Sequence, residues 1–179
     1  MSQPKELNGI DVDRLQSSLE SIGEQAKDAD KASEMNIRRA RALWLSGLRV
    51  KVFSGRTSFQ VDEPVEPNYK SESPTAVEYL LGSLAACVAV GFVYNATLKR
   101  IRVEAVEVSA TGRINNILSF LGLSSDGHPG YEEVTLKTYV RSDAPEEVLK
   151  TILEQSVATS PVANSLSRRV AVKTELKLA

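Results

Sequence analysis

The sequence holds one cysteine, Cys87, and one histidine, His128. A cysteine acts as a nucleophile or redox centre through its thiolate, which forms readily beside a cation and poorly in apolar surroundings. Cys87 stands among Ala85, Ala86 and Ala89, in a run without charge from Tyr79 to Leu98. Those surroundings suit a closely packed, inert thiol, so any activating cation must come from another element. His128 lies in a Gly-His-Pro-Gly loop with no second His or Cys at metal-ligand spacing and nothing to place it beside Cys87. No phosphate-binding loop or dinucleotide glycine pattern occurs. Neither a metal nor a cofactor is expected.

Something must carry Cys87, and the length of 179 residues is that of one domain able to bury its own core. With 22 Lys+Arg against 23 Asp+Glu the formal net charge is -1, a field that attracts neither nucleic acid nor anionic lipid. A single cysteine excludes an intrachain disulfide, and MSQPKELNG lacks the basic and apolar regions of a secretory signal, so a cytoplasmic location is expected. The uncharged run 79–98 approaches the roughly 20 residues of a membrane span. Two glycines, Ser83, Asn95 and Thr97 dilute it, and the amphipathic segments around it need an apolar partner, so a buried core helix is expected.

The first 34 residues are polar, with Val12, Leu15, Leu19, Ile22 and Ala26 spaced to form one apolar stripe, and predict an amphipathic helical extension. From Ile37 to Pro64 three β-type runs broken at Ser46-Gly47 and Ser54-Gly55 predict a three-stranded meander. Ser73-Pro74 suits the start of a helix that runs to Lys99-Arg100, roughly 38 Å at 1.5 Å per residue. Being apolar nearly all round, it requires cover beyond one small meander: a second sheet, a second subunit, or both. Residues 101–114, 132–142 and 170–179 alternate at strand period and supply that sheet. Asp143 with Glu146 has the spacing of an acidic helix cap, and Ser160-Pro161 repeats the Ser-Pro start. The insertion 115–131, with Ile117, Leu118, Phe120, Leu121 and Leu123, reads either as a turn covering the core or as the cap of a pocket.

In order and spacing, VDEP, SPTAVEYLLGSLAAC, SDAPEE and SPVANSL resemble the OsmC-like superfamily over roughly residues 35–179. The resemblance implies an α+β OsmC-like fold, with two antiparallel sheets around a long central helix in an intertwined homodimer. The domain would span 35–179, behind a helical extension at 1–34. Active members of the family are thiol-dependent organic hydroperoxide reductases whose helix cysteine, matched by Cys87, attacks the peroxide. Their second cysteine, in a Cys-Pro-Val turn, is matched here by Ser160. An oxidised Cys87 therefore awaits an external thiol. The family's glutamate matches Glu78. Nine residues separate it from Cys87, about 180° and roughly 13 Å on a straight helix, so it either serves a partner's cysteine instead of its own or has a plain surface or first-turn dipole role. The arginine it holds corresponds to Arg49, with Arg39, Arg41 and Arg56 as rivals. Two functions follow as expectations: a one-cysteine hydroperoxide reductase, or a non-catalytic binder of an apolar small molecule at the dimer interface.

Overall fold

The structure, a computed structural model, describes residues 6–64, 71 and 73–178. Residues 1–5 of the expected extension, and residue 179 of the last expected strand, lie outside that description. The chain divides into two compact units, Met1–Gly82 and Ser83–Ala179, and the boundary falls within the long helix.

In the first unit, Asn8 and Gly9 both adopt positive φ and turn β1 (Glu6–Leu7) back on β2 (Ile10–Asp11), as an Asn-Gly hairpin demands. Asp11 then caps α1 (Val12–Gln25) by accepting from Arg14 N at 3.0 Å. The single helix expected to extend to residue 34 is two. Asp28 accepts from the amides of Asp30 and Lys31 and starts α2 (Ala29–Asn36), a cap that competes with helix continuation at that residue.

The meander forms as the sequence predicts: β3 (Arg41–Ser46), β4 (Arg49–Ser54) and β5 (Thr57–Asp62) pair antiparallel in that order. Gly47 and Gly55, with φ of 55° and 57°, supply the left-handed residue that each two-residue turn requires. The end of β5 holds the start of the long helix α3 (Ala76–Leu98) through Glu63 Oε1, which accepts from Ala76 N at 3.0 Å. Helix α3 begins two residues later than Ser73-Pro74 suggests. Thr75 and Glu78 form a reciprocal cap, with Glu78 Oε2 accepting from Thr75 N at 2.8 Å and Thr75 Oγ1 accepting from Glu78 N at 3.3 Å.

In the second unit, α3 ends in a Schellman turn. Ile101 N donates to Ala96 O and Arg100 N to Thr97 O, while Arg100 takes the left-handed position usually given to glycine. The hairpin of β6 (Ala105–Ile114) and β7 (Tyr131–Arg141) alternates exposed and half-buried residues along nearly its whole length. Short α4 (Ile117–Phe120) lies in the loop between them. Helix α5 (Glu146–Ala158) follows with Pro145 at its cap and no side-chain bond there, so Asp143 is not the cap. Helix α6 (Pro161–Ser167) starts at Ser160 as expected.

The core of this unit is Phe92, Ala96 and Ile152, all fully buried, with Val103, Val106, Val140, Leu149 and Leu153 packed against them. Helix α3 is long and apolar enough to cross a membrane by length and composition, and in this structure its Phe92 and Ala96 side packs against Ile152. Residues 170–178 form no strand ladder, and Val170, Val172, Leu176 and Leu178 are 61–90% exposed. Their alternation fits them for a strand, which takes shape only against a sheet edge.

Because Ile152 contributes the α5 side of the core, Ile152→Ala is expected to cost about 2–5 kcal/mol. A urea midpoint lowered at fixed protein concentration checks this; an unchanged midpoint would contradict the packing.

Candidate functional site

Helices α3 and α5 run antiparallel along a seam that steps one turn at a time. At one end Ile152 meets Phe92 and Ala96. One turn on, Ser156 meets both Gly91 and Asn95: a Cβ at Gly91 would stand 3.4 Å from Ser156 Cβ, and Asn95 Nδ2 donates to Ser156 Oγ at 3.2 Å. Ser156 Oγ in turn donates to Ile152 O at 2.6 Å. Another turn along, just past the end of α5, Ser160 meets Cys87: its Oγ donates to Cys87 Sγ at 3.1 Å. Residues 87, 91 and 95 are four apart and share one face of α3, as 152, 156 and 160 share one side of the α5–α6 segment.

Cys87 is half-buried and Ser160 is buried. Ser160 is fixed on every side. Its Oγ accepts from Ala163 N at 3.1 Å, its N–H donates to Val157 O at 3.1 Å, and its carbonyl accepts from both Asn164 N and Asn164 Nδ2. Of its polar hydrogens, that leaves the hydroxyl proton for the sulfur. A thiolate carries no hydrogen, so in the ionised site the hydroxyl is the donor and the sulfur the acceptor.

The other residues singled out from the sequence have partners within their own units. Glu78 is exposed and its Oε2 is engaged by Thr75 at the head of α3. Arg49 opens β4, exposed, and donates from Nη2 to Ser46 Oγ at 3.1 Å. Arg41 lies over the Phe53 ring at 4.7 Å. His128 accepts from Gly130 N through Nδ1 and serves its own loop. Of the predicted site residues, Cys87 and Ser160 are the two seen in contact. Gly91, Asn95 and Ser156 escaped the sequence reading, although two small or polar residues at four-residue spacing from a cysteine, in an apolar helix, mark a face that meets another helix.

The family model described as "OsmC-like protein" matches residues 69–175, more than half of the chain. Among solved structures, the chain is similar to an OsmC-like protein from Mycoplasma pneumoniae, with a TM-score of 0.63 and 20% identity over 74% of this chain and 88% of that one. An OsmC-like protein of unknown function from Vibrio cholerae gives 0.60 and 15% identity, covering 73% and 93%. An organic hydroperoxide resistance protein from Legionella pneumophila gives 0.54 and 14%, covering 73% and 88%. At these identities the likeness establishes the fold. No curated protein sequence matches the chain.

The 3.1 Å contact places position 160 within reach of a bond to Cys87. Replacing the hydroxyl in Ser160→Cys is expected to yield a disulfide between Cys87 and the introduced thiol on mild oxidation, read as a loss of two hydrogens in intact mass and reversed by reductant. A variant that keeps two free thiols under oxidant would contradict the geometry.

Proposed function

The chain belongs to the OsmC-like protein family, and from that membership we propose that it is a one-cysteine, thiol-dependent organic hydroperoxide reductase acting as a homodimer in a thiol-rich cytoplasm. The observation that carries the reading is the buried Ser160 hydroxyl on the half-buried Cys87 sulfur. Relatives of the same fold that are named organic hydroperoxide resistance proteins, from Legionella pneumophila and Elizabethkingia anophelis, support the choice of oxidant.

The thiolate of Cys87 attacks the outer oxygen of a hydroperoxide ROOH. The S–O bond forms, the O–O bond breaks, and the alkoxide leaves as ROH after taking a proton from solvent. Sulfur is oxidised by two electrons to the sulfenic acid and the peroxide is reduced. This chain has one cysteine, so the second step needs a thiol R′SH from outside. Its sulfur attacks Cys87, the S–O bond breaks, water leaves, and a mixed disulfide remains. A second R′SH releases R′SSR′ and restores the thiol. Excess peroxide diverts the sulfenic acid to sulfinic acid.

The homodimer answers a question of cover. In its most apolar stretch α3 has 17% of its residues buried, and Val90 is 69% exposed. Large apolar patches of this kind mark interaction surfaces. A second copy laying its own α3 alongside covers both, and Glu78 and Arg49 then belong to a site shared between copies. The competing reading, a non-catalytic binder of an apolar small molecule, draws on the loop side chains Ile117, Leu118, Phe120, Leu121 and Leu123, all exposed. The two readings part at Cys87.

Intact-mass spectrometry after substoichiometric cumene hydroperoxide and a sulfenic-acid trap is expected to give one adduct on the wild type and none on Cys87→Ser. An unmodified Cys87 at large peroxide excess would leave the binder. For the dimer, Val90→Asp is expected to convert the sedimenting species from dimer to monomer. In a monomer the same exposed substitution would change stability by no more than about 0.5 kcal/mol and leave the sedimentation coefficient alone.

A further inference from the structure

If Ser160 served only as the cap of α6, its hydroxyl would need only to accept from Ala163 N, a task that Asp, Asn or Thr performs nearly as well. The donated proton is a second property, and it is directed at the Cys87 sulfur across 73 residues of sequence. We propose that Ser160 is the positioning residue of the Cys87 site. Its hydroxyl holds the thiolate for attack and then holds the sulfenic acid, in place of a group that would resolve it. The proposal rests on the peroxidase reading above and adds the residue that governs how long its oxidised state lasts.

The geometry gives the hydroxyl little freedom. Turning the Oγ away from Cys87 breaks the bond from Ala163, and moving the backbone breaks those to Val157 and Asn164. The site is fixed before peroxide arrives, so donation costs no reorganisation during the attack. After the attack the hydroxyl offers no sulfur with which to close a disulfide. The sulfenic acid therefore persists until the external thiol named above displaces its oxygen as water, entering from the side of Cys87 that Ser160 does not cover.

The experiment compares wild type with Ser160→Thr, Ser160→Gly and Ser160→Asp, all residues suited to the cap. Each is assayed for thermal midpoint, for the rate of Cys87 alkylation by iodoacetamide at neutral pH, and for oxidation by one equivalent of cumene hydroperoxide with the trap added after a varied delay. Thr keeps the donor and is expected within about twofold of wild type in all three. Gly lacks it and is expected to react about tenfold more slowly with both reagents. Asp, an acceptor only and negatively charged, is expected to be slower still. A Gly variant with the wild-type midpoint and wild-type rates overturns the proposal, even where the wild type reduces hydroperoxide well. A wild type inert to hydroperoxide, but with alkylation slowed tenfold in Gly and restored in Thr, sinks the peroxidase reading and leaves the Ser160 to Cys87 coupling standing.

Discussion

The bond from Asn95 Nδ2 to Ser156 Oγ sets the register on which the second unit depends. Asn95 and Ser156 are both buried, so a slip of either helix along the other would strand polar groups away from water. Nonpolar packing at Ile152, Phe92 and Ala96 supplies cohesion but tolerates sliding more readily than this bond does. Gly91 faces Ser156 on the same seam, where a Cβ would stand in van der Waals contact with it. Once 95 is set against 156, helical periodicity carries 87 to 160, and the contact at the sulfur follows from a polar pair two turns away.

The same helix carries a liability. Its sequence is apolar on nearly every face, and its own chain covers a minority of it. A helix of that kind is stable in a core and unfavourable in water. The unpaired run 170–178 has the same character, with one apolar face and no sheet beneath it. Both features are explained most simply as surface meant to be covered, and the α3 surface includes the helix on which Cys87 sits. Whatever covers that helix also borders the approach to the sulfur.

Much of this was legible in the sequence, and the boundary between legible and illegible follows the range of the interactions. The meander came from two Ser-Gly turns and period-two runs, both local. Cys87 was found because it is the only thiol, and the start of α6 because Ser-Pro is a local cap signal. Local reading went wrong where two local signals competed. Ser73-Pro74 yielded to the Thr75–Glu78 reciprocal cap, and the stripe from Val12 to Ala26 was cut by the Asp28 cap. Asn8-Gly9 was a hairpin signal passed over within a polar segment. The meeting of Ser160 with Cys87 could not be read from spacing, because it depends on the register between α3 and α5, which the intervening β hairpin does not determine. The resemblance brought the two positions together as counterparts of a cysteine pair, while the hydrogen bond between them is a property of this chain's serine.

Serine and cysteine at position 160 are close in shape and opposite in what they do to an oxidised neighbour. A thiol there would attack the sulfenic sulfur from within and end the oxidised state in one intramolecular step, at the high effective concentration of a preformed contact. A hydroxyl there donates a hydrogen bond and waits. In the proposed cycle the rate is then set by the concentration of external thiol, and the oxidised protein would accumulate whenever that thiol is scarce. Under that proposal, the difference of one atom moves control of turnover from the fold to the surrounding thiol pool. In that cycle a sulfur held by a hydroxyl, with no thiol beside it, is left to whichever of external thiol or second peroxide reaches it first.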